Sequence, residues 1–169
     1  MLLNLSSDVP FIYADKFTFF ERKNLEEQLP NYFFENVEKI NDIYVITWPW
    51  YFSSTRVWVE VINILNTLNI VENIYFLDKI SFYQKLWYNQ IYLFTWNKNK
   101  FYDISTTKVT FRKDLDFDIL LEELFEIKLD WFNYIKYSTF IKKYKDLEWN
   151  KLKNNDLLKP FYIFEPIVS

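Results

Sequence analysis

A chain of 169 residues, half of them hydrophobic and 22% aromatic, can bury a core for one domain or two small subdomains. Its 20 basic and 23 acidic side chains are intermixed and leave a net charge of −3, so the basic footprint of an autonomous nucleic-acid binder is missing. Without cysteine or histidine there is no disulfide or thiolate chemistry, the main zinc ligands are absent, and a metal site would need carboxylates alone.

Composition carries a second message. Glycine is absent, alanine occurs once, and lysine outnumbers arginine 17 to 3, while Phe, Tyr, Ile and Asn abound. That bias is expected of a very AT-rich coding sequence, so aromatic content by itself carries little functional weight. The first residues lack a basic stretch followed by a long apolar run, and no segment approaches about 18 uninterrupted apolar residues. The expectation is a cytoplasmic protein with no membrane span.

In chain order, Met1 to Ser6 reads as a first strand, followed by short runs at 10–13 and 16–20 with turns near Asp8 and Ala14-Asp15. Asn24 is placed as the N-cap of a helix with acids in its first turn, and Leu25, Leu29, Phe33 and Val37 form its apolar stripe. Residues 42–47 read as a buried strand. A second helix follows, capped by Ser54 or Thr55, with a stripe of Val57, Val61, Leu65 and Leu68. Tyr32, Phe34, Trp58 and Ile62 widen the apolar surface of these two helices, as in helices buried on two sides.

Further on, 73–77 reads as a strand and 78–84 as a helical turn. Residues 88–96 and 101–111 read as a β-hairpin, and 116–125 as a helix. Residues 128–149 fit either a strand then a helix or one long helix, and 159–168 read as extended. The order is βββαβα and then mixed α/β, with no repeat in the sequence. Residues 1–84 are expected to form the first subdomain and 85–169 a reduced second one, whose C-terminal segment packs back.

The residues offer little chemistry. Asp114, Asp116, Asp118, Glu122 and Glu123 fit the favourable acids at a helix start. Lys136, Lys142, Lys143, Lys145 and Lys151 fit a solvated face. A phosphate loop needs glycine so that backbone N–H groups can approach the ligand. The first strand has no carboxylate before Asp8, which would have to serve if the chain were a metal-dependent hydrolase.

The loop between the 42–47 strand and the second helix is unusual. It reads Trp48-Pro-Trp-Tyr-Phe-Ser-Ser-Thr-Arg-Val-Trp58, bulky where a tight turn normally has glycine. This stretch resembles the GPGSFTGLRIG signature of the TsaB (YeaZ) family. Pro49, Phe52 and Arg56 match outright, Ser53 stands for Thr and Val57 for Ile. Trp48, Trp50 and Trp58 stand at three glycine positions and Ser54 at the fourth.

Met1-Leu-Leu-Asn-Leu-Ser-Ser7 is similar to the family's opening MILAIDTS, with Ser6 at its Asp. Asn24-Leu-Glu-Glu-Gln-Leu-Pro30 is similar to HSEELLP, Leu68-Asn-Ile to LNIP, and Asn89-Gln-Ile-Tyr92 to GEVY. Residues 159–167 resemble the closing PxYxRxP.

The resemblance implies a degenerate ASKHA (actin-like, RNase H-like) α/β fold and a non-catalytic subunit. Such a subunit pairs with a TsaD-like protein in making N6-threonylcarbamoyladenosine at position 37 of tRNA. The partner would carry the metal and the threonylcarbamoyl-adenylate, this chain would hold no cofactor, and tRNA would be met only indirectly. A TsaE-like ATPase is a further implied partner, and a homodimer an alternative assembly. The implied interface lies on the first two helices, at Leu25, Leu29, Phe33, Val57, Val61 and Leu65. The competing readings are a metal-dependent hydrolase of the same fold, glycoprotease-like or nuclease, and a decayed interaction module.

Two explanations stand for the tryptophans. They are aromatic interface anchors, or they are UGA codons that the organism reads as glycine, given seven Trp and no Gly where about 7% Gly is usual. Sequencing the coding DNA separates them: UGA at 48, 50 and 58 supports recoding, and UGG there rules it out.

Overall fold

The computed structural model describes residues 1–4, 9–36, 40–47, 52–88, 91–94, 100–111, 120–122, 133–153 and 156–159; for 22, 52–58, 94, 120–122, 134 and 140 it describes the backbone alone. The chain divides into two units, Met1–Lys79 with Trp149–Ser169, and Ile80–Glu148. Both are α/β. Among the described residues no helix is long and apolar enough to cross a membrane.

The first unit is built on a six-stranded mixed sheet. Its innermost short strand is β1 (Leu2–Asn4), paired antiparallel with β2 (Phe11–Tyr13), which pairs antiparallel with β3 (Phe17–Phe19). On the other side β1 runs parallel to β4 (Ile40–Thr47), and β4 parallel to β5 (Val71–Asp78). A two-residue strand from the far end of the chain, β11 (Asn150–Lys151), closes that edge antiparallel to β5. The spatial order is β11-β5-β4-β1-β2-β3. Helix α1 (Leu25–Glu35) connects β3 to β4, and α2 (Phe52–Thr67) connects β4 to β5.

Side chains alternate across a strand, so register decides which face each residue takes. Leu3 sits opposite both Ile12 and Val45, and Ile43 opposite Ile74. These residues share one face and form a buried cluster with Leu25, Leu29 and Phe33 of α1 and Val59, Ile62 and Leu65 of α2. Full burial of a Leu, Ile or Phe side chain contributes roughly 1.5–3 kcal/mol, so this cluster dominates the unit's cohesion. On the opposite face Tyr44 stacks on Tyr75, with ring centroids 4.9 Å apart, and Trp149 meets Tyr44 edge-on at 5.2 Å.

The second unit repeats the plan. Strands β6 (Ile91–Phe94), β7 (Lys100–Asp103) and β8 (Lys108–Phe111) form an antiparallel meander. Strand β9 (Leu120–Glu122) runs parallel to β6 on its other side, and β10 (Asn133–Ile135) parallel to β9. The order β10-β9-β6-β7-β8 therefore reproduces β5-β4-β1-β2-β3, with the same strand directions. Phe82, Tyr83, Ile91, Leu93, Phe101 and Tyr137 are among its buried residues. The sequence reads without a repeat; the topology has one.

Several expectations are corrected. Residues 101–111 are two strands folded on each other, because Ile104–Thr107 form a turn with Thr107 at φ 58°. The helix expected over 116–125 is not formed at 120–122, where β9 lies. Residues 128–149 resolve, where described, as strand then helix: β10, a short α4 (Tyr137–Phe140) and a 3-10 turn at Tyr144–Asp146. Asn24 does hold the N-cap position of α1, but it makes no side-chain cap bond; it ends a 3-10 turn, and its amide instead donates to Glu21 at 3.4 Å. Ser54 and Thr55 do not cap α2, since the helix already begins at Phe52. Val37, and 160–168 of the extended C-terminal run, lie outside the described residues.

Two helix ends show what a glycine-free chain does where a left-handed residue is needed. After α2, Asn69 (φ 52°) takes that conformation, and Ile70 N–H closes on Leu65 O at 3.0 Å. Helix α3 (Lys79–Lys85) ends the same way: Tyr88 N–H closes on Tyr83 O at 3.0 Å, with Trp87 at φ 66°. Asn tolerates this region, whereas a bulky residue pays about 1–2 kcal/mol there. The Trp87 side chain is 88% exposed and offsets little of that. Trp87→Gly is expected to stabilise the chain by about 1 kcal/mol, read as a higher denaturant midpoint; a lower midpoint would mean the indole has a packing role.

Candidate functional site

In open α/β sheets, ligands bind outside the carboxyl ends of the parallel strands. Here β1, β4 and β5 end at Asn4, Thr47 and Asp78, and the register places Asn4 beside Ile46 and Thr47 beside Asp78. Asn4 and Thr47 are buried, and Thr47 Oγ1 donates to Leu77 O at 3.3 Å. Lys79, the first residue of α3, is 1% exposed. The residues at this edge thus include Asn4, Thr47, Asp78 and Lys79, of which Asn4, Thr47 and Lys79 are buried.

The signature loop starts from this edge, where β4 ends. Trp48, Pro49 and Trp50 lie outside the described residues, as does Asp8. Phe52, Ser53 and Arg56 lie in the first turns of α2, described as backbone only. Sequence reading did not single out Lys79. A lysine after a strand looks like any solvated lysine until the packing around it is known.

The residues expected at an interface occupy a different place. Leu25, Leu29, Phe33, Val61 and Leu65 all belong to the first unit's own core, and the side chain of Val57 is not among those described. They share one buried cluster with Ile43 and Val45 of β4 and Ile74 of β5. Ile62, read as a widening position, is also buried. Leu68 lies past the end of α2 and is exposed, so it leaves the stripe. Among the described residues of this region, the outward apolar ones are instead Phe34, Ile64 and Leu68, at 66%, 52% and 57% exposure. All three sit near the C-terminal ends of α1 and α2, which both lead to the starts of parallel strands.

Lys136, Lys142, Lys143, Lys145 and Lys151 are exposed, as a solvated set. Asp114, Asp116, Asp118 and Glu123 lie outside the described residues. Among the described residues no group of three or more potential metal-ligating side chains lies together. Asp103, at the end of β7, is buried and accepts bonds from Ser105 N–H (2.8 Å), Ser105 Oγ (2.6 Å) and Thr106 Oγ1 (2.7 Å). Burial alone would raise its pKa, but these hydrogen bonds outweigh it and hold the carboxyl below its usual range.

A depressed folded-state pKa stabilises above the unfolded value of about 3.9, and that contribution is lost as pH falls through the folded value. Asp103→Asn should therefore lower the urea midpoint at neutral pH, with the gap to wild type shrinking below about pH 4. A gap constant with pH would show that the charge contributes nothing.

No protein-family model, curated protein or solved structure matches this chain.

Proposed function

We propose that this chain is a non-catalytic accessory subunit of the TsaB type, pairing with a TsaD-like protein in the synthesis of N6-threonylcarbamoyladenosine at position 37 of tRNA. The observation that carries the reading is the strand plan. A βββαβα unit with β1 inside the sheet, followed by a smaller unit of the same strand order, suits a degenerate ASKHA fold. The signature-like stretch also follows β4 in the sequence and runs into the residues of α2, which supports the reading.

On this reading the partner supplies the metal, the threonylcarbamoyl-adenylate and the catalysis. This chain supplies a surface. Since the inner stripes of α1 and α2 are core, contact falls to the outward residues Phe34, Ile64 and Leu68. Exposed aromatic and aliphatic side chains near one end of two neighbouring helices can anchor a helix of the partner.

Co-expression with a TsaD-like protein from the same organism should yield a co-purifying complex. Phe34→Asp with Ile64→Asp should weaken that complex at least about tenfold, because a buried unpaired charge costs more than one decade in affinity. The variant should keep its circular dichroism spectrum, and depletion of the chain should lower the modified adenosine measured by mass spectrometry. A stable monomer that never co-purifies, with modification unchanged on depletion, would overturn the proposal.

A further inference from the structure

Helix α2 is buried on more than the side that meets the sheet. Val59, Val61, Ile62, Asn63 and Leu65 are all buried, and a helix lying only on a sheet buries a single stripe. Part of the extra cover comes from the chain's own C-terminal segment. Asn63 Nδ2 donates to Leu158 O at 3.1 Å, and Leu158 N–H donates to Asn63 Oδ1 at 2.8 Å. One helical turn on, Asn66 Nδ2 donates to Asp156 O at 3.4 Å.

The two bonds to Leu158 form a paired contact. A residue in an extended backbone presents its N–H and C=O toward the same side, and an Asn amide offers one acceptor and one donor side by side. Asn63 therefore substitutes for a neighbouring strand and reads backbone rather than side-chain identity. The side chain of Leu158 enters the same buried cluster as Val59 and Ile62. Asp156, Leu157 and Lys159 stay exposed, so among the described residues one apolar side chain and three hydrogen bonds tie these four residues to α2.

We propose that this flank of α2 is a peptide-docking site, occupied in cis by Asp156–Lys159 and held by Asn63 as a releasable latch. The ligand class is an extended segment with a leucine-sized side chain at the position of Leu158. Elements with few buried contacts open at lower free energy than the core they rest on. The segment accordingly opens while α1, β4 and β5 stay folded. The site stands independently of any role for the outward residues of α1 and α2.

Hydrogen exchange on the full-length chain tests the latch. Asn63→Leu keeps the size and removes both bonds to Leu158, so amides at 156–158 should exchange roughly 30-fold faster, with α1, β4 and β5 unchanged. Equal acceleration throughout the unit, or no acceleration at 156–158, would overturn the proposal. The site itself is tested in the full-length Leu158→Ser variant, which loses the anchor and keeps Asn63. That variant should bind a synthetic peptide of residues 151–159 (KLKNNDLLK) in trans, and adding Asn63→Leu should weaken binding at least tenfold. Failure of Leu158→Ser to bind the peptide, or binding indifferent to Asn63, would show that the flank is ordinary core.

Discussion

Everything in the first unit hangs on the register of β4. It is bonded along seven residue pairs to β5 and along three to β1, so it cannot slip by one residue without turning every side chain over. That register sends Ile43 and Val45 toward the helices and Tyr44 toward the opposite face, where it stacks with Tyr75 and meets Trp149. Both helices attach to an end of β4, one entering it and one leaving. Their inner stripes are committed to its apolar face before any partner is considered. The helices' inner residues, where described, are consequently a matter of folding.

The same constraint bears on function. A scaffold subunit needs rigid elements presenting a surface, and it needs no pre-formed catalytic group. The carboxyl edge of the first sheet has buried polar residues and a buried lysine, but the chain brings no histidine, cysteine or glycine to work with them. Phosphate loops depend on backbone N–H groups that side chains do not obstruct. Trp48 and Trp50, which follow β4, are residues of the opposite kind.

Much of the first unit was legible because its signals are strong and regular. The period-four stripe Leu25, Leu29, Phe33 and the apolar run through Ile43 to Ile46 admit few alternatives. The direction those stripes face was not legible, since a helix apolar on two sides looks the same whether a partner or its own chain covers it. Asn63 gave no sequence signal either: its contact lies 95 residues away, and any asparagine in a helix reads alike. In the second unit the strands are three or four residues long, too short to show a period. Uniform enrichment in Phe, Tyr, Ile and Asn blurred turns such as Ile104–Thr107, and the acids around 116–123 read as a helix start although 120–122 are strand.

The repeated strand order carries a historical consequence. Two units share one plan of pairings and directions while their side chains show no trace of it. Ladder pairing uses backbone groups that every residue except proline possesses, so a sheet's wiring survives substitutions that erase its spelling. In a chain with no glycine and a single alanine, architecture becomes a longer memory than sequence. Common ancestry of the two halves would be recorded in the order of strands long after the letters had ceased to agree.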